Sequence, residues 1–317
     1  MTTASEKLSF SGHETFPLRS TWLSKAFAAL VKDPDVFNQE DAMVRLGVGK
    51  NMVRSMRHWS LACGMAEEDL EGAAGVRGGL RVTPLGHAVF SKDGWDPYLE
   101  DPGTLWLLHW QLASTPLRSS TWYYAFNLLP KTEFTKEELT QWLLRWAEGR
   151  SSRVSENSLR RDVDCFARTY VATKPTRTVP LEDVLACPLT ELGLLRELKT
   201  SASFILDRGD HITLPNALVA YALCEFLGRR QHRAHTLALE EVAFAEGGPG
   251  RVFALSEEAL LYRFEQLEAA TDGALSFDET AGLRQVIVHE VPEPMDVLSR
   301  YFEQSKATAL RATGSDV

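Results

Sequence analysis

The sequence predicts a mainly α-helical protein with small β-hairpin wings, and three observations predict it. Apolar residues recur at helical spacing in one segment after another, Gly- and Asp-containing turns separate them, and a short alternating run such as Leu80 to Thr83 follows a helix pair. These place an N-terminal winged helix-turn-helix in residues 1–100, a helical domain with a second winged-helix-like unit in 101–235, and a small acidic α/β-hairpin domain in 236–317. At 317 residues the chain exceeds one ordinary core, and a 44% hydrophobic composition with 8 Trp, 15 Phe and 7 Tyr excludes a disordered chain.

The first helix is expected in residues 17–32, where Pro17 suits a first turn and Trp22, Leu23, Ala26, Phe27, Leu30 and Val31 make one face. Asn38 is the expected N-cap of a second helix whose short apolar face is Ala42, Met43 and Leu46, ending at Gly47. After the GVGK turn, Met52, Met56, Trp59 and Cys63 form the buried stripe of a third helix. The opposite face then shows Asn51, Arg54, Ser55, Arg57 and His58. The glycine-rich stretch that follows reads as a hairpin, which completes the winged helix-turn-helix, a fold that puts its recognition helix into the major groove.

Trp106, Trp110, Trp122, Tyr123, Tyr124 and Phe126 lie at helical period in two helices broken near Pro116, which reads as core and not as a base-stacking surface. Thr135 and Ser155 are capping residues of a second helix pair, with Leu159, Val163, Phe166 and Tyr170 buried and Asn157, Arg160, Arg161 and Asp164 outward. A strand pair is expected around Asp207-Arg208-Gly209 and a closing helix after it. Near the C-terminus a helix is expected from Ser256 to Ala270, and a last amphipathic helix from Asp296 to about Leu310.

The net charge of −9 would oppose nucleic-acid binding if it were spread evenly. It is not: residues 240–317 hold 15 acidic and 6 basic residues, leaving 28 of each in residues 1–239. Basic clusters stand at Arg45, Lys50, Arg54 and Arg57, and again at Arg145, Arg150, Arg153, Arg160 and Arg161. Apolar stretches such as Leu105 to Trp110 are too short to span a bilayer and the first residues lack a leader pattern, so a soluble cytoplasmic protein without membrane contact is expected. Cys63, Cys165, Cys187 and Cys224 have no CxxC spacing and are expected as reduced, mostly buried thiols.

Catalytic signatures are absent. GVGK lacks the spacing and the Ser or Thr of a phosphate-binding loop, and no GxSxG elbow occurs. His232 and His235 have HxxH spacing without a third ligand in register, so neither a metal nor another cofactor is expected. The string from Phe10 to Arg19 has two readings. In one it is a strap, with Phe10 and Phe16 packing and Glu14 or Thr15 capping the first helix; in the other His13, Glu14 and Arg19 form a polar site.

Five segments, SFSGHETFPLR with Trp22-Leu23, CPLTELGLL, DRGDHITLP with ALVAYAL, GRVFALSEEAL and DETAGLRQV, together resemble a bacterial family, the domain of unknown function numbered four thousand and seven. The resemblance covers nearly the whole chain. Members of that family look to be encoded beside PAPS-reductase-like proteins in DNA phosphorothioation islands and BREX-type phage-defence islands. It implies a component of a DNA-modification or anti-phage system and transfers no catalytic residue.

The expected function is a non-enzymatic accessory protein that binds double-stranded DNA. Lys50, Asn51, Arg54, Arg57 and His58 would face the major groove, Arg77 and Arg81 would sit on the wing, and Arg150, Arg153, Arg160 and Arg161 would extend the footprint. The alternative is a non-catalytic adaptor within a defence complex. The acidic C-terminal region could hold another island protein, and the last helix could mediate a homodimer.

Overall fold

The computed structural model describes residues 8–70, 78–150, 152–172, 187–231 and 234–313, with side chains through residue 308. The chain divides into two compact units, Met1–Asp207 and Arg208–Val317. It is mixed in class, mostly helical with small antiparallel sheets. No helix among the described residues is long and apolar enough to cross a membrane.

In the first unit, α1 is Trp22–Leu30, shorter than the expected 17–32; of the six predicted face residues it buries Trp22, Leu23, Ala26 and Leu30, while Phe27 is half-buried and Val31, just past the end, is exposed. It begins at Thr21, which makes no side-chain cap, and Glu14 and Thr15 do not cap it either: both have positive φ in the preceding loop. Asn38 is not the N-cap of α2 (Ala42–Leu46). It ends a 3-10 turn, Val36–Asn38, and its amide donates to Asp35 Oδ1 and the Gly78 carbonyl. A five-residue helix has room for one i, i+4 buried pair, so Ala42 and Leu46 are buried while Met43 is exposed.

Gly47, at φ +65°, ends α2 in the left-handed conformation that favours glycine. Then α3 (Lys50–Ala62) buries Val53, Met56 and Trp59 and packs Cys63 just beyond its end. The stripe is turned slightly from the expected one, so Met52 is half-buried and Ser55, expected outward, is enclosed.

Strands β1 (Ala66–Glu68) and β2 (Leu80–Val82) pair antiparallel. Leu80 N–H also donates to the Pro34 carbonyl at 2.9 Å, so the segment between α1 and α2 lies against the outer side of β2. Leu30, Val36, Ala66 and Leu80 close this small core. Thr83 caps α4 (Pro84–Phe90) by accepting from Gly86 N–H. A Cβ on Gly86 would stand 2.2 Å from the Met65 carbonyl oxygen, which is backbone and accepts from Thr83. Gly86→Ala is therefore expected to destabilise the protein by about 1–3 kcal/mol, and a urea midpoint equal to wild type would contradict it.

Residues Gly103 to Ala113 of α5 (Pro102–Ala113) are all buried, and α6 (Ser120–Asn127) is likewise enclosed, so these aromatics are core. Strand β3 (Glu133–Phe134) precedes α7 (Lys136–Gly149), whose start is a full capping box of Thr135 and Glu138. Ser155 caps α8 (Glu156–Tyr170), which buries Leu159, Val163, Phe166 and Tyr170. After a 3-10 turn at Pro188–Leu192, β4 (Leu195–Leu198) and β5 (Ser203–Leu206) form a hairpin, and the sheet order is β3-β5-β4. The hairpin turns at residues 199–202, not at Asp207-Arg208-Gly209. The turn there needs Ala202 at φ +49°, a signal weaker than the Asp-Arg-Gly string that suggested the later position.

The second unit holds α9 (Asn216–Arg229), β6 (Thr236–Ala238), α10 (Leu239–Phe244), α11 (Pro249–Val252), α12 (Glu257–Phe264) and α13 (Leu267–Ala270). A hairpin of β7 (Leu275–Thr280) and β8 (Leu283–Val288) follows, in a sheet of order β6-β8-β7, and α14 (Pro294–Thr313) ends the unit. The helix expected from Ser256 to Ala270 is two helices. Its first part closes as Gln266 N–H bonds to the Arg263 carbonyl, while the Arg263 guanidinium is drawn inward to the Leu214 and Asp210 carbonyls. Sheet order repeats between the units: in each three-stranded sheet the last strand in sequence is central.

Candidate nucleic-acid interface

The string from Ser9 to Arg19 is a strap laid across the helices of the first unit. His13 is 1% exposed, and its Nε2 lies 2.8 Å from Asp162 Oδ1 on α8. Thr15 N–H donates to His13 Nδ1 at 3.0 Å. Asp162, also 1% exposed, further accepts from Ser11 N–H at 2.6 Å and from the Thr121 hydroxyl at 2.8 Å. Both ring nitrogens of His13 and both carboxylate oxygens of Asp162 thus have partners within the protein.

The three residues of the possible polar site have different partners. Glu14 accepts from Arg54 at 3.4 Å, and the Arg19 guanidinium lies over the Phe16 and Trp22 rings. The Arg168 guanidinium, from α8, donates to the Thr15 carbonyl. Asp162 and Arg168 were not among the residues expected from sequence. For Asp162 a signal existed: it sits within the apolar stripe of α8, beside Val163 and one turn from Leu159, where a carboxylate has to be paired.

His58, expected to face DNA, points the other way. Its ring is edge-on to Trp59 and to His13, and a Cβ on Gly12 would fall 2.3 Å from its Nδ1. Part of the residue's surface remains accessible, but Nε2 is enclosed and has no hydrogen-bond partner. Burial, with smaller repulsion from His13 and Arg57 outweighing the pull of Asp162, lowers its pKa to about 3. Its Nε2 is thus turned into the protein, while the rest of the residue borders the groove lined by Arg54 and Arg57.

The remaining cations divide into paired and unpaired ones. Arg57 is held by Glu68 at 3.1 Å and Arg81 by Glu67 at 2.8 Å, both carboxylates belonging to β1. Arg160 pairs with Glu156, and Arg150 lies over the Trp146 ring, 4.6 Å from its centre. Lys50, Asn51, Arg153 and Arg161 are exposed, and the three cations among them have no ion pair among the described residues. Arg77 and His232 lie outside the described residues.

At the start of α3, Gly49 supplies no side-chain cap, and a Cβ there or on Gly47 would meet nothing within 4 Å. The backbone N–H groups of the first turn have no side-chain cap beside Lys50, and an uncapped helix start next to a cation is a general anion-binding arrangement. All four cysteines are buried, and burial pushes each thiol pKa up, so none is a nucleophile at neutral pH. Among the described residues, no group of three or more His, Cys, Asp or Glu side chains is placed to hold a metal ion.

The model of the family described as "Protein of unknown function (DUF4007)" matches residues 10–302. Two solved structures resemble the chain over nearly its full length. One, an SspB crystal structure, is 35% identical with a TM-score of 0.83, covering 94% of this chain and 90% of that one. The other, a magnesium ion-bound SspB crystal structure, is 34% identical with a TM-score of 0.83, covering 93% of this chain and 88% of that one. No curated protein matches the sequence.

Proposed function

Because this chain belongs to the DUF4007 family and presents an open, cationic helix start, we propose that it is a DNA-binding accessory protein of a bacterial DNA-modification or anti-phage system. It contacts duplex DNA through α3. The element order supports reading two winged-helix units, each running helix, extended segment, two α-helices, hairpin: α1 to β2 with Pro34 as the extended segment, and α6 to β5 with β3. In such a unit the helix before the hairpin is the one that enters the major groove.

The observation that carries the reading is the first turn of α3, where Lys50 and Asn51 flank uncapped N–H groups and Arg54 stands one turn on. The Arg54–Glu14 pair is long and 57% exposed on the arginine side, so phosphate or a guanine edge can replace the carboxylate at little cost. Arg57 and Arg81 have short carboxylate partners and contribute less than their charge suggests.

A second reading, a protein adaptor, is favoured by one observation: Val31, Met43 and Val44 are exposed together with Lys25 and Lys32 near α1 and α2. Salt separates the two. Fluorescence anisotropy on a labelled duplex at about 50 and 200 mM salt should show wild-type affinity falling steeply, and Lys50→Ala/Arg54→Ala binding at least tenfold more weakly. Absence of wild-type binding at the lower salt would remove DNA binding and leave the adaptor.

A further inference from the structure

We propose that the duplex backbone is held by a second site, a cationic cleft between α8 and the β4–β5 hairpin, through Lys136, Arg168, Arg196 and Lys199. The proposal rests on the DNA-binding reading and names where the phosphates go. The cleft has a volume of about 760 Å³, and among the described residues its lining contains these four cations against a single carboxylate, Glu197. Its floor is apolar and fixed, since Tyr170, Leu195 and Phe204 are buried.

The cations are presented differently. Lys136 is positioned at the rim by Asp164, 2.7 Å away, and by the Phe204 ring, 5.8 Å from its Nζ. Arg168 is braced by the Asp164 carbonyl at 3.3 Å and by Thr15. Arg196 and Lys199 are exposed on the hairpin and have no ion pair among the described residues. At about 3.3 Å per residue, their backbones lie roughly 10 Å apart, which suits successive contacts along a polymer better than a single small anion.

The corresponding groove of the first helix–hairpin unit shows why charge and not shape decides. It too has a volume of about 760 Å³ and is lined by Arg54, Arg57, Arg118, Glu67 and Glu68. There Arg57 is tied to Glu68 and Arg118 to Gln111, while Arg54, on the longer Glu14 pair, is the arginine most readily released. Beside α8 the β4–β5 hairpin supplies cations where, beside α3, β1 supplies carboxylates. Phosphate contacts also position a duplex without reading it, which leaves recognition to α3.

The test is an anisotropy titration of one duplex over about 50–200 mM salt, using wild type, Arg196→Ala/Lys199→Ala, and Lys50→Ala/Arg54→Ala. Losing two phosphate contacts should reduce the slope of log affinity against log salt by about 1.8 and weaken low-salt binding roughly tenfold or more, equally for two duplexes of different sequence. Arg196→Gln/Lys199→Gln should behave alike with an unchanged melting temperature, which separates lost contacts from a damaged hairpin. A wild-type slope in the hairpin variants, with binding lost only in Lys50→Ala/Arg54→Ala, overturns the cleft and leaves the α3 reading standing. No wild-type binding to duplex, or binding to single strands alone, overturns both.

Discussion

Asp162→Ala is expected to lower the free energy of unfolding by about 2–5 kcal/mol, since it leaves the buried His13 and Thr121 donors unpaired at about 1–3 kcal/mol each. The loss has a definite anatomy. Ser11 N–H, the His13 Nε2–H and the Thr121 hydroxyl all converge on this carboxylate; the last two become buried donors without an acceptor, while the exposed Ser11 can turn to water. The strap then keeps its contacts through Arg168 and the aromatic packing of His13 against Trp59 and Trp122, which do not replace the lost bonds. Asp162→Asn should cost less, because its amide oxygen still accepts from one or two of the three donors. Urea unfolding followed by tryptophan fluorescence gives both values, and a loss below about 1 kcal/mol for the alanine variant would sink the idea that this network holds the strap. The strap also carries Glu14 to Arg54, so its release exposes the guanidinium on α3 and links the core network to the proposed interface.

Much of the fold was legible because local chemistry and packing agreed. Thr135 and Ser155 are side-chain caps where their sequences predicted caps, and the stripe of α8 and most of that of α1 are buried where their spacing placed them. Legibility failed where a long-range partner outbid the local pattern. Asn38 looks like a cap, yet its amide is taken by Asp35 and Gly78. His58 shares a helix face with exposed arginines, yet the strap arrives from 46 residues upstream, as Gly12, and closes over its ring. Paired arginines are a similar case: a basic cluster in sequence gives no sign that β1 brings Glu67 and Glu68 beside it. The cleft cations were missed for the opposite reason. Lys136, Arg168, Arg196 and Lys199 are scattered over 64 positions and become neighbours only through the pairing of β4 with β5 and their packing beside α8.

The second large effect concerns pH and follows from the enclosed His58. Its pKa falls from the usual 6.5 to about 3 in the folded protein, first through burial and then through His13 on the strap and Arg57 on its own helix, with Asp162 on α8 opposing. Between those two values the unfolded chain binds a proton that the folded chain does not, so stability rises with pH across this window. The stabilising difference is present in full above about pH 6.5, and is lost as pH falls toward 3 at up to about 1.4 kcal/mol per pH unit, roughly 4–5 kcal/mol over the whole interval. Urea unfolding at about pH 7 and pH 5 should therefore show wild type losing roughly 2 kcal/mol more than His58→Gln, which has no proton to take up at that position. Equal losses in the two proteins would mean that the imidazole is protonated in place, with its Nε2 donating to a group that the enclosed geometry does not provide. The same enclosure explains why this histidine brings no positive charge to DNA: its ring does not accept a proton above about pH 3.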